Sequence, residues 1–246
     1  MRQGPVCTLT LDSPHNRNAL SAQLLDELAG GLAEAAADAA VRVVVLTATG
    51  KAFCSGADLS APPTTVSSRM PEILEAIRGA RVPVIARVGG HARAGGLGLI
   101  ATADLAVATA PSTFAFSEVR VGVAPAMIMV PALRVADRRF LARAVLTGEP
   151  FGAADAAAAG LLTAVVDDEH ALDAWVDGAV ASVLKGAPGA VAATKALLAE
   201  LSEAPWSEGL AVARTRSAAL FAGAEAAEGM DAFLHTRTPS WEVPTP

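Results

Sequence analysis

Four clusters of residues have the types and spacing that chemistry asks for. Gly95-Gly96-Leu97-Gly98-Leu99 follows a strand-like run, Val82 to Ala86, and opens an apolar helix. Glycines there suit a helix N-terminus whose bare N–H groups face an anion or a developing oxyanion. They suit equally well the close packing of a helix on a sheet. As Gly96-x-Gly98-x-x-Ala101, with Glu118 downstream, the stretch formally satisfies the dinucleotide-binding fingerprint. That fingerprint needs a tight strand-to-helix turn, and the intervening Gly90 to Gly95 disfavour it.

The second cluster, Phe53-Cys54-Ser55-Gly56-Ala57-Asp58-Leu59, sets small residues between two apolar anchors. Small side chains let a backbone approach a ligand, and a turn at Gly56 frees the Ala57 N–H to donate. Cys54 as a nucleophile would need a base. His15, His91, His170 and His235 stand in no local signature that supplies one, so a small buried thiol is the expectation. The third, Asn16-Arg17-Asn18-Ala19-Leu20, offers Arg17 as a phosphate partner or as a solvated loop arginine, with Asn16 or Asn18 bracing the turn. In the fourth, Phe114-Ala115-Phe116-Ser117-Glu118, the glutamate is the one acid among the sixteen residues from Ser112 to Met127. A carboxylate in such surroundings has a raised pKa and suits proton transfer near neutral pH. The alternative is a capping glutamate, or one paired with Arg120.

The elements that must position these clusters alternate in the first half of the chain. Val6 to Leu11 is β-rich and closes on the turn Asp12-Ser13-Pro14; Ser21 then caps a helix with Leu24, Leu25, Leu28 and Leu32 at helical spacing. Val41 to Leu46 is almost continuously apolar, as a strand buried on both faces should be. A loop runs from Phe53 through Ala61-Pro62-Pro63, then a helix over Glu72 to Arg78 and the strand over Val82 to Ala86. Short strands are expected at Leu105 to Ala108 and Thr113 to Phe116. From Arg134 almost everything is expected to be helical. Alternation followed by helices argues one α/β core with an α-rich tail that packs on the core or on another subunit.

Composition excludes several classes. Of 246 residues 52% are hydrophobic and 18% charged, which is no disordered regulator. The charge-free window Val121 to Leu133 is 13 residues with two prolines, short of the ~20 that a spanning helix needs. With 19 basic against 25 acidic residues and no tyrosine, there is no basic, aromatic-interleaved face for nucleic acid. Cys7 and Cys54 make neither a disulfide framework nor a metal cluster. Met1-Arg2-Gln3-Gly4-Pro5 lacks an apolar signal segment, and a cytoplasmic protein is expected.

In this order, the four clusters resemble the enoyl-CoA hydratase/isomerase (crotonase) superfamily. The match begins at Asn16 to Leu20 and continues through Phe53 to Leu59, Gly90 to Asp104 and Phe114 to Gly122. It ends with Leu146-Thr147-Gly148-Glu149 and Ala159-Gly160-Leu161. The resemblance implies a crotonase-like α/β spiral of ββα units over residues 1–190 and a C-terminal helical trimerisation lobe over 191–246, in a homotrimer or hexamer. It implies an acyl-CoA thioester as partner, with its carbonyl held between the Ala57 and Gly95 N–H groups and a proton moved by Glu118. Phe53, Ser55, Ala57, Asp58 and Leu59 would wrap the adenine end, with Arg17 near the phosphates. Coenzyme A arrives within the substrate, so no separate cofactor and no metal are implied.

This chain also departs from the family pattern. Hydratases carry two glutamates; one falls on Glu118 and the other on Gly98, which cannot move a proton. Pro125-Ala126-Met127-Ile128-Met129 replaces a small, glycine-rich stretch, and Met127 or Met129 is expected to fill the pocket. A single glutamate with Ala94-Gly95-Gly96 is similar to Δ3,Δ2-enoyl-CoA isomerases. The C-terminal lysine that many relatives offer to coenzyme A is replaced by Thr236, beside Arg237. The expected activity is isomerisation or weak hydration of enoyl-CoA, and the alternative is an acyl-CoA-binding homologue with little turnover. Gly98→Glu is expected to raise hydration.

Overall fold

The computed structural model describes residues 1–60, 62 and 64–242, so of the expected turn at 61–63 only Pro62 lies inside the described residues. The chain opens with β1 (Arg2–Gln3) and β2 (Val6–Leu11), paired antiparallel. Helix α1 (Ala22–Ala37) starts where its cap predicts: the Ser21 hydroxyl accepts from the Leu24 N–H at 3.2 Å and satisfies one of the donors that a helix N-terminus leaves bare.

Next come β3 (Val43–Ala48), β4 (Ala52–Cys54) and α2 (Thr64–Gly79), then β5 (Val84–Val88), β6 (His91–Arg93) and α3 (Gly95–Thr102). Strands β7 (Leu105–Thr109) and β8 (Thr113–Ala115) lead through a 3-10 turn at Glu118–Val121 to α4 (Ala126–Val135) and α5 (Arg138–Thr147). After β9 (Phe151–Gly152), α6 (Ala153–Ala158) and β10 (Ala164–Val166), the chain is helical. Its last helices are α7 (Glu169–Leu184), α8 (Pro188–Leu201), α9 (Trp206–Phe221) and α10 (Ala224–Leu234).

The strands form two sheets, ordered β1-β2-β3-β5-β7-β10 and β4-β6-β8-β9. Each of β3, β5 and β7 is followed by a strand of the smaller sheet and then by a helix. The chain therefore repeats a ββα unit three times, always from the large sheet to the small one, and this repetition is the spiral. Strand β3 shows why the large sheet reads as an unbroken apolar run. Val44 and Leu46 face the cluster with α1, α2 and α3, while Val43 and Val45 face Leu172, Val176 and Val180 of α7.

Six elements differ from the sequence expectation. Cys54 ends a strand rather than starting a loop, and the glycine-rich turn contains β6; at three residues each, neither is long enough to show a period. Strands β9 and β10 interrupt the expected helical half for the same reason. The helix expected over Glu72 to Arg78 begins earlier, at Thr64, and α2 runs through Pro71, forgoing one backbone bond. The apolar Pro125 to Met129 stretch begins α4.

The tail packs on the core. The Lys195 ammonium of α8 donates to the carbonyls of Ile77 and Val82 at 2.8 and 3.1 Å and to Asp104 Oδ2 at 2.7 Å. Among the described residues, no helix is long and apolar enough to cross a membrane.

Candidate functional site

Asn18 builds the first wall of the site. It is fully buried. Its Oδ1 accepts from the Ser13 N–H at 2.7 Å, and its Nδ2 donates to the carbonyls of Thr49 and Ala52 at 2.9 and 2.7 Å. The loop before α1 is thereby tied to β4. Past it, the Leu20 N–H donates to Gly56 O at 2.8 Å and the Asp58 N–H to Leu20 O at 3.3 Å. Both bonds use the residues flanking Ala57, so the Ala57 N–H faces away from Leu20 and has no acceptor among the described residues. Gly56 takes φ +97°, a conformation that glycine adopts without steric cost.

The second wall is the start of α3. Ala94 holds φ +47° and ψ −120°, a strained pair for a residue with a Cβ. Two hydrogen bonds fix it: its N–H donates to Ala115 O at 3.0 Å, and its carbonyl accepts from the Leu97 N–H at 2.9 Å. The Gly95 N–H, first in the helix, has no acceptor among the described residues. A Cβ on Gly56 would lie 3.0 Å from the Ala94 methyl. The two walls therefore abut, and each presents an unused N–H one residue beyond the contact.

Glu118 opens the 3-10 turn beyond β8. The strand's exit is anchored by Phe114 and Phe116, whose rings stack 5.9 and 6.2 Å from that of Phe151. Glu118 Oε2 is buried and, among the described residues, has no hydrogen-bond partner. Burial raises the pKa of the carboxyl above its ordinary value, and the opposing pull of its own amide is smaller. Arg120 does not pair with it; the Arg120 Nε donates to Thr147 O at 3.3 Å. The capping and ion-pair alternatives for Glu118 are thus not what the structure holds.

One turn along α3 the backbone is closed. A Cβ on Gly98 would meet Ile128 Cγ2 at 2.6 Å and Met70 Cε at 3.1 Å, so α4 and α2 press against the bare helix. Ile128, rather than Met127 or Met129, fills this space. The dinucleotide reading falls with the same observation, since Gly96 and Gly98 lie inside α3 and not in a strand-to-helix turn. A groove of about 520 Å³ between α2, α4 and α8 is lined by Leu74, Met127 and Leu198 together with the charged Arg78, Asp104 and Lys195, and by none of Ala57, Gly95 or Glu118.

The chain matches the family model described as enoyl-CoA hydratase/isomerase over residues 1–244. It belongs to the enoyl-CoA hydratase/isomerase family. The 2,3-dehydroadipyl-CoA hydratase of Escherichia coli is 31% identical, over 98% of this chain and 96% of that one. The mitochondrial enoyl-CoA hydratase domain-containing protein 3 of Danio rerio is 36% identical over 70% of this chain, an alignment that spans 62% of that protein. The crystal structure of an enoyl-CoA hydratase from Mycobacterium smegmatis superposes with a TM-score of 0.92 at 37% identity, covering 97% of this chain and 96% of that one. The crotonase spiral expected from the sequence is the observed fold.

The residues that the family resemblance assigned to coenzyme A divide in the structure. Phe53 is buried in the core and presents no side-chain surface. Ser55 ties its loop to the Arg17 segment: its N–H donates to Arg17 O at 3.1 Å and its hydroxyl to Asn16 O at 3.1 Å. Arg17 and Leu59 are exposed, whereas Asp58 is engaged by Ser60, which holds its pKa below the ordinary value. Arg237 is held by Glu228 and Asp231 at 2.7 and 2.5 Å, and its pairing pulls the Glu228 pKa down to about 2. Sequence reasoning missed Ile128 and Met70 as the residues facing Gly98. Nothing local signals them, because they depend on how three helices pack.

Proposed function

We propose that this member of the family is an acyl-CoA enzyme in which Glu118 alone moves the proton. The thioester oxygen sits between the Ala57 and Gly95 N–H groups, where the α3 N-terminus also favours negative charge. The Glu118 carboxylate takes a proton from C2 of a 3-enoyl-CoA, the electron pair delocalises to the thioester oxygen, and the proton returns at C4 to give the 2-enoyl product. Arg17, Ser55, Ala57, Asp58 and Leu59 border the coenzyme A end.

One observation carries the reading: the carboxylate at Glu118 has an unpartnered buried oxygen, while the position of the second family glutamate is occupied by Ile128. Hydration needs one group to activate water and another to protonate C2, so a lone carboxylate favours isomerisation. The missing carboxylate also supports a second reading, an acyl-CoA-binding homologue with little turnover.

Incubating the protein with a 3-enoyl-CoA and, separately, a 2-enoyl-CoA distinguishes them. Isomerisation of the first with slow hydration of the second is expected; tight binding with neither reaction would favour the binding protein. The exposed Trp206, Leu210, Phe221, Phe233 and Leu234 of α9 and α10 support assembly of further copies as a trimer or hexamer. Two free thiols accord with a cytoplasmic setting.

A further inference from the structure

Cys54 is fully buried, and burial pushes its thiol up to about 12. It stays protonated, and no base stands by it among the described residues, so it is not a nucleophile. Its sulfur nevertheless lies at a second place where the two walls of the site meet, beside the Gly56–Ala94 contact. On one side the Gly56 N–H donates to Sγ at 3.4 Å, and Sγ lies 4.0 Å from Gly56 O; the next residue is Ala57. On the other side is Gly96, where an added Cβ would come within 2.7 Å of Cys54 Cβ and 3.2 Å of Sγ; the preceding residue is Gly95. Gly96 is second in α3, a position whose N–H has no carbonyl of its own helix to bond.

We propose that Cys54 is a positioning residue for the paired N–H donors: its sulfur, seated between Gly56 and Gly96, sets the separation and tilt of the Ala57 and Gly95 amides. The inference rests on the proposed role of those two amides. Donors stabilise a developing oxyanion only when aimed at the place it will occupy, about 2.7–3.1 Å away, and such sites tolerate displacements of only about 0.5 Å. Three properties of the thiol serve this end: the width of sulfur as a spacer, its acceptor capacity toward Gly56, and the absence of a longer side chain that would part the walls.

The test compares Cys54→Ala, Cys54→Val and Cys54→Ser with the wild-type chain. Valine removes the acceptor and adds a branch methyl; serine keeps an acceptor on a smaller atom. Two quantities are read: kcat and KM for isomerisation of a 3-enoyl-CoA, and the infrared carbonyl stretch of a bound saturated acyl-CoA, which reports how strongly the amides polarise the thioester. Cys54→Val should lower kcat about tenfold, less than the ~10²–10³ lost with a whole donor. Its KM should stay within a few-fold, and the carbonyl stretch should move back toward that of free thioester. Cys54→Ser should recover most of both. If Cys54→Ala fails to fold, the valine and serine pair carries the test. Wild-type kcat and carbonyl frequency in Cys54→Val, or equal impairment of valine and serine, would overturn the positioning role. A wild-type chain that binds acyl-CoA with no carbonyl shift would instead overturn the assignment of Ala57 and Gly95, and this inference with it.

Discussion

Two of the charged side chains drawn into this fold, Lys195 and Glu118, are treated in opposite ways. Lys195 has three N–H donors, and each has an acceptor: Ile77 O, Val82 O and Asp104 Oδ2. Burial lowers its pKa, and Asp104 pulls it back. Among the described residues, Glu118 is raised by burial with no cation to compensate, and one of its oxygens is left without a partner. Leaving a buried acceptor unmet costs about 1–3 kcal/mol. A fold that meets every demand of one ion and neglects the other fits a fastening in the first case and, under the function proposed above, a reagent in the second. Lys195 fixes α8 to the core; Glu118 would be left available to a substrate.

The contrast breaks most visibly at Glu118. Glu118→Gln should lower isomerase turnover by ~10²–10⁴ while acyl-CoA binding, followed by calorimetry, is nearly unchanged. The same variant should melt no lower than wild type. A carboxyl whose folded pKa is raised contributes stability below its unfolded pKa and loses it as pH rises through the folded pKa. Above its folded pKa the ionised Glu118 therefore weakens the fold, and the amide removes that cost.

Asp104→Ala should do the reverse. It strips the carboxylate from Lys195 and from the Val84 N–H, which donates to the same oxygen at 2.7 Å. Leaving the ammonium uncompensated should cost ~3–5 kcal/mol in urea unfolding, with activity per folded molecule retained. Combining Asp104→Leu with Lys195→Met should restore much of that loss.

Ala57→Pro comes next in size. The Ala57 N–H serves no bond among the described residues, so its removal should spare the fold and lower kcat by ~10²–10³. Undiminished kcat in a folded variant would take Ala57 out of the site.

The smallest effect expected is at Gly98, and here the structure reverses a sequence expectation. The sequence suggested that Gly98→Glu would raise hydration. With Ile128 Cγ2 at 2.6 Å from the new Cβ, the substitution should instead overpack the α3–α4 contact, cost ~1–3 kcal/mol and yield no hydratase. Pairing it with Ile128→Ala makes room, and only the pair should hydrate a 2-enoyl-CoA faster than wild type.

These outcomes follow what was legible in the chain and what was not. The isolation of Glu118 could be read directly, because a single acid in a long apolar window is a local fact. The Ser21 cap and the doubly buried β3 were legible for the same reason. Asn16 and Asn18 could not be told apart as braces, and the structure uses both: Asn18 ties the loop to β4, while Asn16 Oδ1 accepts from the Ser13 hydroxyl at 2.8 Å. Strands β4 and β6 were hidden by their length. Ile128 opposite Gly98 and Cys54 between two glycines were hidden by distance along the sequence, since each contact joins elements whose mutual register no local pattern encodes.

The pH dependence of kcat/KM for 3-enoyl-CoA isomerisation, in wild type and Glu118→Gln, tests the central claim most directly. As base, Glu118 must be ionised, so its raised pKa predicts a rate that falls on the acid side above the ordinary glutamate value of 4.5. The residual rate of the glutamine variant should lack that limb. A wild-type limb at or below 4.5, or the same limb persisting in Glu118→Gln, would contradict Glu118 as the proton carrier.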